Sequence, residues 1–322
     1  MTLPASTHIG SVHLTVADLD AQRSFYERAL GLEVIERDGQ TVRLGPPGGP
    51  AILDLTGSPD APRRPHGTTG LYHFAVLVPT RADLAQALRR VADAGWRFTG
   101  ASDHLVSEAL YLNDPEGNGI EIYRDRPRAE WARSDEGAIQ MATLPLDLEG
   151  VLGEVNGAHP VPERMAPGTY IGHVHLQVAN LHDAEAFYAG ALGFDVMVRT
   201  YPGALFVSAG GYHHHIGLNT WESRGGSPPP AGTTGLYHFA IRYPTRAALA
   251  RAVRSVLDAG IRIGASDHGV SEAVYLSDPD GNGIELYWDR PEEQWPRTPD
   301  GTQVAMYTRP LDLQGVLAEA ES

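Results

Sequence analysis

The 322-residue chain has no cysteine, which excludes thiolate nucleophiles, thiolate metal sites and disulfides. Any metal must be held by His, Asp or Glu. In IGHVHLQVANL (171–181), His173 and His175 are two residues apart and share one face of a strand. His238 stands near the start of LYHFAIRY, and Glu285 lies between Ile284 and Leu286 in GIELYWD. A strand carboxylate that points into a core must be paired or metal-bound, because a lone buried charge is expensive. Two His and one carboxylate on one face of a divalent metal leave positions open for a bidentate substrate and O₂. The run His213, His214, His215 follows Gly210-Gly211 and enters the apolar stretch IGLN. Imidazoles titrate near neutrality, which suits moving a substrate proton.

The elements that must position these residues form a duplication. GTTGLYHFA (67–75) recurs at 232–240, and ASDHLVSEALYLNDPEGNGIEIYRDRP (101–127) recurs as ASDHGVSEAVYLSDPDGNGIELYWDRP (265–291). IGSVHLTVADL (9–19) matches IGHVHLQVANL, and LPLDLEGVL (144–152) matches RPLDLQGVL (309–317). The offset is 162–165 residues throughout, which implies two homologous halves, 1–154 and 169–322. The Pro/Gly-containing segment 155–168 reads as a linker.

Each half divides again. VHLTV is a strand, ADLDAQRSFYERALG a helix stopped by Gly31, and GLEVIER, QTVRLG and AILDL are short strands. LYHFAVLV opens the next quarter, followed by the Thr-capped helix TRADLAQALRRVADAG and three further strands. The order β-α-β-β-β repeats four times, which predicts an α+β fold. DPEGNG (114–119) and DPDGNG (278–283) read as hairpin turns that aim the following strand.

Composition narrows the partners. Lys plus Arg total 25 against 40 Asp plus Glu, a formal net charge of −15. That balance argues against nucleic acid or an anionic membrane surface. No apolar run approaches a membrane span, and MTLPASTHIG lacks the features of a signal peptide, so a cytoplasmic protein is expected. A homo-oligomer is left open.

The phrases FYxxxLGxxV (Phe187 to Val196, echoed from Phe25 to Val34) and LYLxDPxGNGIEIY, with paired modules of about 160 residues, resemble the vicinal oxygen chelate superfamily. That superfamily includes glyoxalase I, fosfomycin-resistance proteins and extradiol dioxygenases. GGYHHHIGLN, GLYHFA and DHxVSEALYLSDPDGNGIE are most similar to two-repeat bacterial catechol 2,3-dioxygenases. The resemblance implies four βαβββ modules forming two curved, cup-shaped mixed sheets flanked by helices. It also implies a metal held in a cup by two His and one Glu. Fe(II) is the expected metal, with Mn(II), Zn or Ni as alternatives, and the expected substrates are a small aromatic diol and O₂.

Carried onto this chain, the resemblance admits two ligand sets. Module one has Ser11 where module three has His173, and Ala51, Ile52 and Leu53 where module three has the histidine run. Pairing within the C-terminal half gives His173, His238 and Glu285. Pairing across the halves gives His173, His73 and Glu121. The first is favoured because it needs only neighbouring modules. The resemblance casts His215 as the acid–base group by register, with His214 next. Tyr275 (Tyr111 in the other half) resembles the tyrosine beside the ligands in that family, or is a packed strand aromatic, and His268 (His104) either covers the site or caps a turn. The competing expectations are a glyoxalase-type isomerase, which usually carries a second carboxylate ligand, and a metal-free drug-binding protein.

Overall fold

The computed structural model describes residues 2–135, 137–155 and 160–321. The first half contributes β1 (His8–Val16), β2 (Glu33–Asp38), β3 (Thr41–Gly45), β4 (Leu53–Gly57), β5 (Gly70–Leu77), β6 (Phe98–Asp103), β7 (Ser107–Asn113), β8 (Gly119–Asp125) and the short β9 (Leu144–Pro145). The second contributes β10 (Tyr170–Gln177), β11 (Asp195–Val198), β12 (Ala204–Ser208), β13 (Ile216–Asn219), β14 (Gly235–Arg242), β15 (Gly264–Asp267), β16 (Ser271–Ser277), β17 (Gly283–Asp289) and the short β18 (Arg309–Pro310). They form two nine-stranded mixed sheets, as the α+β reading expected.

Neither sheet belongs to one half. One runs β18-β15-β16-β17-β14-β1-β4-β3-β2 and joins module four to module one. The other runs β11-β12-β13-β10-β5-β8-β7-β6-β9 and joins module three to module two. The seams are the antiparallel pairs β1 with β14 and β10 with β5. The halves are units of sequence, while each sheet takes one module from each. Residues 156–159 of the expected linker lie outside the described residues. The rest of that segment is tied to the first half: the Met165 amide donates to the Gly31 carbonyl, and Arg90 donates to the Pro162 and Arg164 carbonyls.

Helices cover the sheets and fix the turns. Helix α1 (Leu19–Phe25) starts at Asp18, whose carboxylate accepts from the Ala21 amide, a cap worth about 1 kcal/mol. The sequence suggests one continuous helix to Leu30, but the last five residues widen into a π-turn ending at Gly31, where φ of +77° favours glycine. Tyr26 lies in that turn, and its hydroxyl donates to Asp114 at 3.0 Å. Tyr188 makes the same bond to Asp278 at 2.8 Å. The two Asp-Pro turns are therefore packing devices as well as hairpins, anchoring the helix of the preceding module. Helix α2 (Arg81–Asp93) opens with a reciprocal Thr80–Asp83 capping box and buries Leu84, Ala87 and Val91. Full burial of a side chain such as Leu84 stabilises by roughly 1.5–3 kcal/mol. Among the described residues, no helix is long and apolar enough to cross a membrane.

Candidate metal centre

Three strands of the second sheet set the site. On β10, His173 lies opposite Ala75 of β5, and Ala75 lies beside Glu121 of β8. The three residues form one row across the sheet, with the small Ala75 between the two functional side chains. His73 is two residues before Ala75 and therefore on the same face. All three functional residues are buried. One ligand atom from each lies within 4.8 Å of the others, and no other such group of three occurs among the described residues.

The donor chemistry fits a divalent metal. His173 Nε2 is 3.2 Å and His73 Nε2 is 3.0 Å from the same Glu121 oxygen, Oε2. His73 Nε2 makes no well-aligned hydrogen bond and is a buried orphan, so the imidazoles converge on a point rather than satisfying each other. Burial pushes His173 down to about 4 against the opposing pull of Glu121. Burial alone would raise Glu121, but His173 and His73 outweigh it and hold the carboxyl well below its ordinary value. A neutral His173 and an ionised Glu121 are protonation states that suit a metal.

The favoured sequence set is not brought together. His238 and Glu285 lie in the other sheet, where His238 Nε2 is 3.2 Å from Glu285 Oε2 and Ser11 completes the row Ser11–Ala240–Glu285. The correction follows from strand pairing: β10 adjoins β5, not β14, so His173 meets His73 and Glu121. Tyr275 and His268 accompany Glu285 in that second cup, with Tyr275 donating to Glu285 at 3.0 Å and His268 Nε2 2.8 Å from the Tyr275 hydroxyl. Their repeats serve the first cup. Tyr111 of β7 pairs across the ladder with Glu121, and its hydroxyl is pushed well up by burial and then by that carboxylate. His104 Nε2 lies 2.7 Å from the Tyr111 hydroxyl, and its Nδ1 is 2.7 Å from the Ala142 carbonyl.

The histidine run divides by role. The residues before Ile216 form a bend, so strand alternation does not run back through them. The His214 ring lies 4.1 Å from that of His173, centroid to centroid, and burial holds it well below its ordinary value. His215, preferred by register, faces elsewhere. Its Nδ1 accepts from the Ala209 amide at 3.1 Å and lies 2.9 Å from Ser208 Oγ, while burial pushes it down to about 3. It lines a groove of about 1250 Å³ that reaches Asp125, Tyr170 and Arg128. His175 stays on the His173 face, 5.0 Å from the His73 ring, with Nε2 buried and unpartnered. Gly217 makes room for it, since a Cβ there would stand 2.9 Å from the His175 ring.

Sequence reasoning passed over an aromatic wall. Tyr72, Trp221 and Phe206 each contact the His175 ring, and Tyr201 contacts Phe206 and Trp221. The repeated GLYHFA phrase carried a signal for Tyr72, which precedes a ligand candidate in both halves. No comparable pattern marks Trp221 or Phe206, which come from the half-specific module three.

Comparisons with known proteins agree with this architecture. The profile of the Glyoxalase/Bleomycin resistance protein/Dioxygenase superfamily matches residues 8–122 and 170–286. The chain is 44% identical over 260 residues to a catechol-2,3-dioxygenase of Bacillus subtilis (strain 168), covering 80% of this chain and 90% of that protein. A crystal structure of a putative dioxygenase from Bacillus subtilis superimposes with a TM-score of 0.64 at 15% identity, covering 90% of this chain and 87% of the other. Glyoxalase I from Zea mays gives 0.54 at 18% identity, covering 88% and 92%, and these two likenesses bear on the fold alone. With both repeats matched and a close relative aligned along most of its length, the chain belongs to the Glyoxalase/Bleomycin resistance protein/Dioxygenase superfamily.

Proposed function

We propose that the chain is a metal-dependent extradiol dioxygenase that opens the ring of a catechol-like diol with O₂. Its site is the cup of β5, β8 and β10, with His73, Glu121 and His173 as the metal ligands. The observation that carries this reading is the convergence of three buried ligand atoms, two imidazole and one carboxylate, within 4.8 Å. The 44% identity to a catechol-2,3-dioxygenase supports the reaction class. When bound, Fe(II) would supply the electronic chemistry between diol and O₂, with the positions left open by three protein ligands available to both.

The chain's own groups bind, orient and move protons. The wall of Tyr72, Phe206 and Trp221 gives an aromatic ring a flat, apolar surface beside His175. His214, neutral and against His173, accepts a hydroxyl proton from the diol. On the opposite side, Tyr111 and His104 form a hydrogen-bonded pair next to Glu121 that can return a proton to the opened product. His104 Nδ1 faces a carbonyl, which only accepts, so that nitrogen carries hydrogen and Nε2 exchanges with Tyr111.

The test is anaerobic reconstitution with Fe(II), then addition of catechol in air-saturated buffer. Oxygen uptake matched by a yellow ring-opened product is expected. Tight metal binding with no oxygen uptake on catechol or its 3- and 4-substituted forms would sink the proposal. Isomerisation of a hemithioacetal without oxygen consumption would establish the glyoxalase alternative.

A further inference from the structure

Behind His214 a hydrogen-bonded chain returns to the strand that carries Glu121. His214 Nδ1 lies 2.8 Å from His213 Nδ1, and His213 Nε2 lies 2.9 Å from Asp125 Oδ1. Asp125 ends β8, four residues after Glu121, and its other oxygen accepts from the Tyr212 hydroxyl at 2.9 Å. Tyr212 is held in turn by the Tyr123 hydroxyl at 2.7 Å, and its ring stacks on His213 with centroids 4.0 Å apart. The carboxylate is thus anchored on one side and free to accept from the imidazole on the other.

The direction of each bond follows from the donor inventory. A carboxylate only accepts, so His213 Nε2 carries hydrogen. In the imidazole form of His213, Nδ1 then presents a lone pair, and the short contact takes its hydrogen from His214 Nδ1. The remaining nitrogen of His214, Nε2, is left without hydrogen. This is the form a general base needs, and the other tautomer would present an N–H instead.

We propose that Asp125 and His213 are positioning residues that hold His214 with its proton on Nδ1, leaving Nε2 as the lone pair offered to the diol. The proposal rests on the dioxygenase reading for what His214 meets, but the tautomer itself is a property of the protein alone. It also assigns the histidine run three separate tasks: His214 touches substrate, His213 orients it, and His215 packs against Ser208 and Ala209.

The test is ¹⁵N-histidine NMR on the full chain, metal-free and loaded with diamagnetic Zn²⁺, with His214→Gln to assign the signals. A pyrrole-type Nδ1 and a pyridine-type Nε2 at His214 are expected. A proton on Nε2 would overturn the proposal. In the Fe(II) enzyme, His213→Phe and Asp125→Leu should each lower kcat by ~10–100-fold, the range for losing an outer partner of a functional histidine, with KM and metal content within about twofold. Asp125→Glu, which keeps an accepting carboxylate, should recover much of the loss. Parent-level kcat in both His213→Phe and Asp125→Leu would also overturn it. The NMR measurement decides the tautomer even if the parent consumes no oxygen, an outcome that counts against the dioxygenase reading alone.

Discussion

Glu121 and Glu285 are repeats of each other, each beside a histidine and a tyrosine, the first buried and the second half-buried, and they should behave differently on substitution. Glu121→Gln leaves shape and volume nearly unchanged but removes the anionic ligand from a site whose other members are His73 and His173. Structural zinc sites with four donors bind with about 10–16 kcal/mol, or about 2.5–4 kcal/mol per donor. Losing one such share weakens binding by ~10²–10³-fold, since each 1.4 kcal/mol is a factor of ten. Glu285→Gln removes the same group from a cup where Ser11 stands in the row occupied by His173 in the first, so metal affinity should change by less than about twofold. Competition titration against a chromophoric chelator measures both variants, with oxygen uptake on catechol as the second readout. If Glu285→Gln loses metal and activity while Glu121→Gln keeps both, the cross-half assignment is wrong. Equal and small effects would remove both carboxylates from the site.

Further outcomes follow from the same geometry. His214→Asn should retain metal and slow turnover by ~10²–10⁴-fold, the size of a general acid–base contribution, whereas His215→Asn should lower stability with little change in turnover; the reverse pattern in a steady-state comparison would restore the register reading. Ser11→His combined with Arg43→Phe, which copies His173 and Phe206 into the first module, should raise metal content from one to two ions per chain by elemental analysis, and a value of one would show that row geometry does not suffice. In the metal-free protein, His173, His13 and His215 are depressed to about 4, 4 and 3, chiefly by burial. Each is neutral when folded but protonates when unfolded below about 6.5, so its stabilisation is present above that pH and is lost as pH falls, at up to ~1.4 kcal/mol per unit per histidine. Urea denaturation between pH 7.5 and 4.5 should therefore show a steep decline, shallower in His215→Asn, and a flat profile would contradict the burial of these rings.

The modules and their internal order were legible because duplication repeats every signal: caps, helix stops, Asp-Pro turns and strand alternation appear twice with the same spacing. Which modules adjoin was not legible. β5 and β14 both contain GLYHFA, so local sequence offers β10 two almost identical partners, and the choice rests on long-range packing. That choice alone converts His238 and Glu285 into His73 and Glu121. The histidine run departs from strand register for a local reason. Period-two reasoning holds only where the backbone is extended, and residues 213–215 form a bend before β13 begins. Asp125 escaped notice because its partners lie 87 and 88 positions away, a separation that no spacing rule covers.

The second cup explains how a duplicated site can lose its third ligand and keep the other two. Register places Arg43 where the first cup has Phe206, and Asp54 where it has Gly217. Asp54 Oδ2 is 3.7 Å from the Arg43 guanidinium, while Oδ1 is buried without a partner. Burial raises the Asp54 carboxyl to about 6, against the opposing pull of Arg43 and His238. Arg43 also helps to depress His13, after burial and His238. A fixed guanidinium therefore supplies, from within the chain, positive charge that a metal would bring to the first cup. A metal in this cup would meet the Arg43 charge, which Glu36 at 3.1 Å and Asp54 at 3.7 Å offset in part, so the guanidinium disfavours a second cation there. His238, Glu285, Tyr275 and His268 can then persist as a half-buried hydrogen-bonded network, because removing one member would leave its neighbours without their partner. Packing then accounts for their survival, and the proposed chemistry lies in the cup where His173 completes the row.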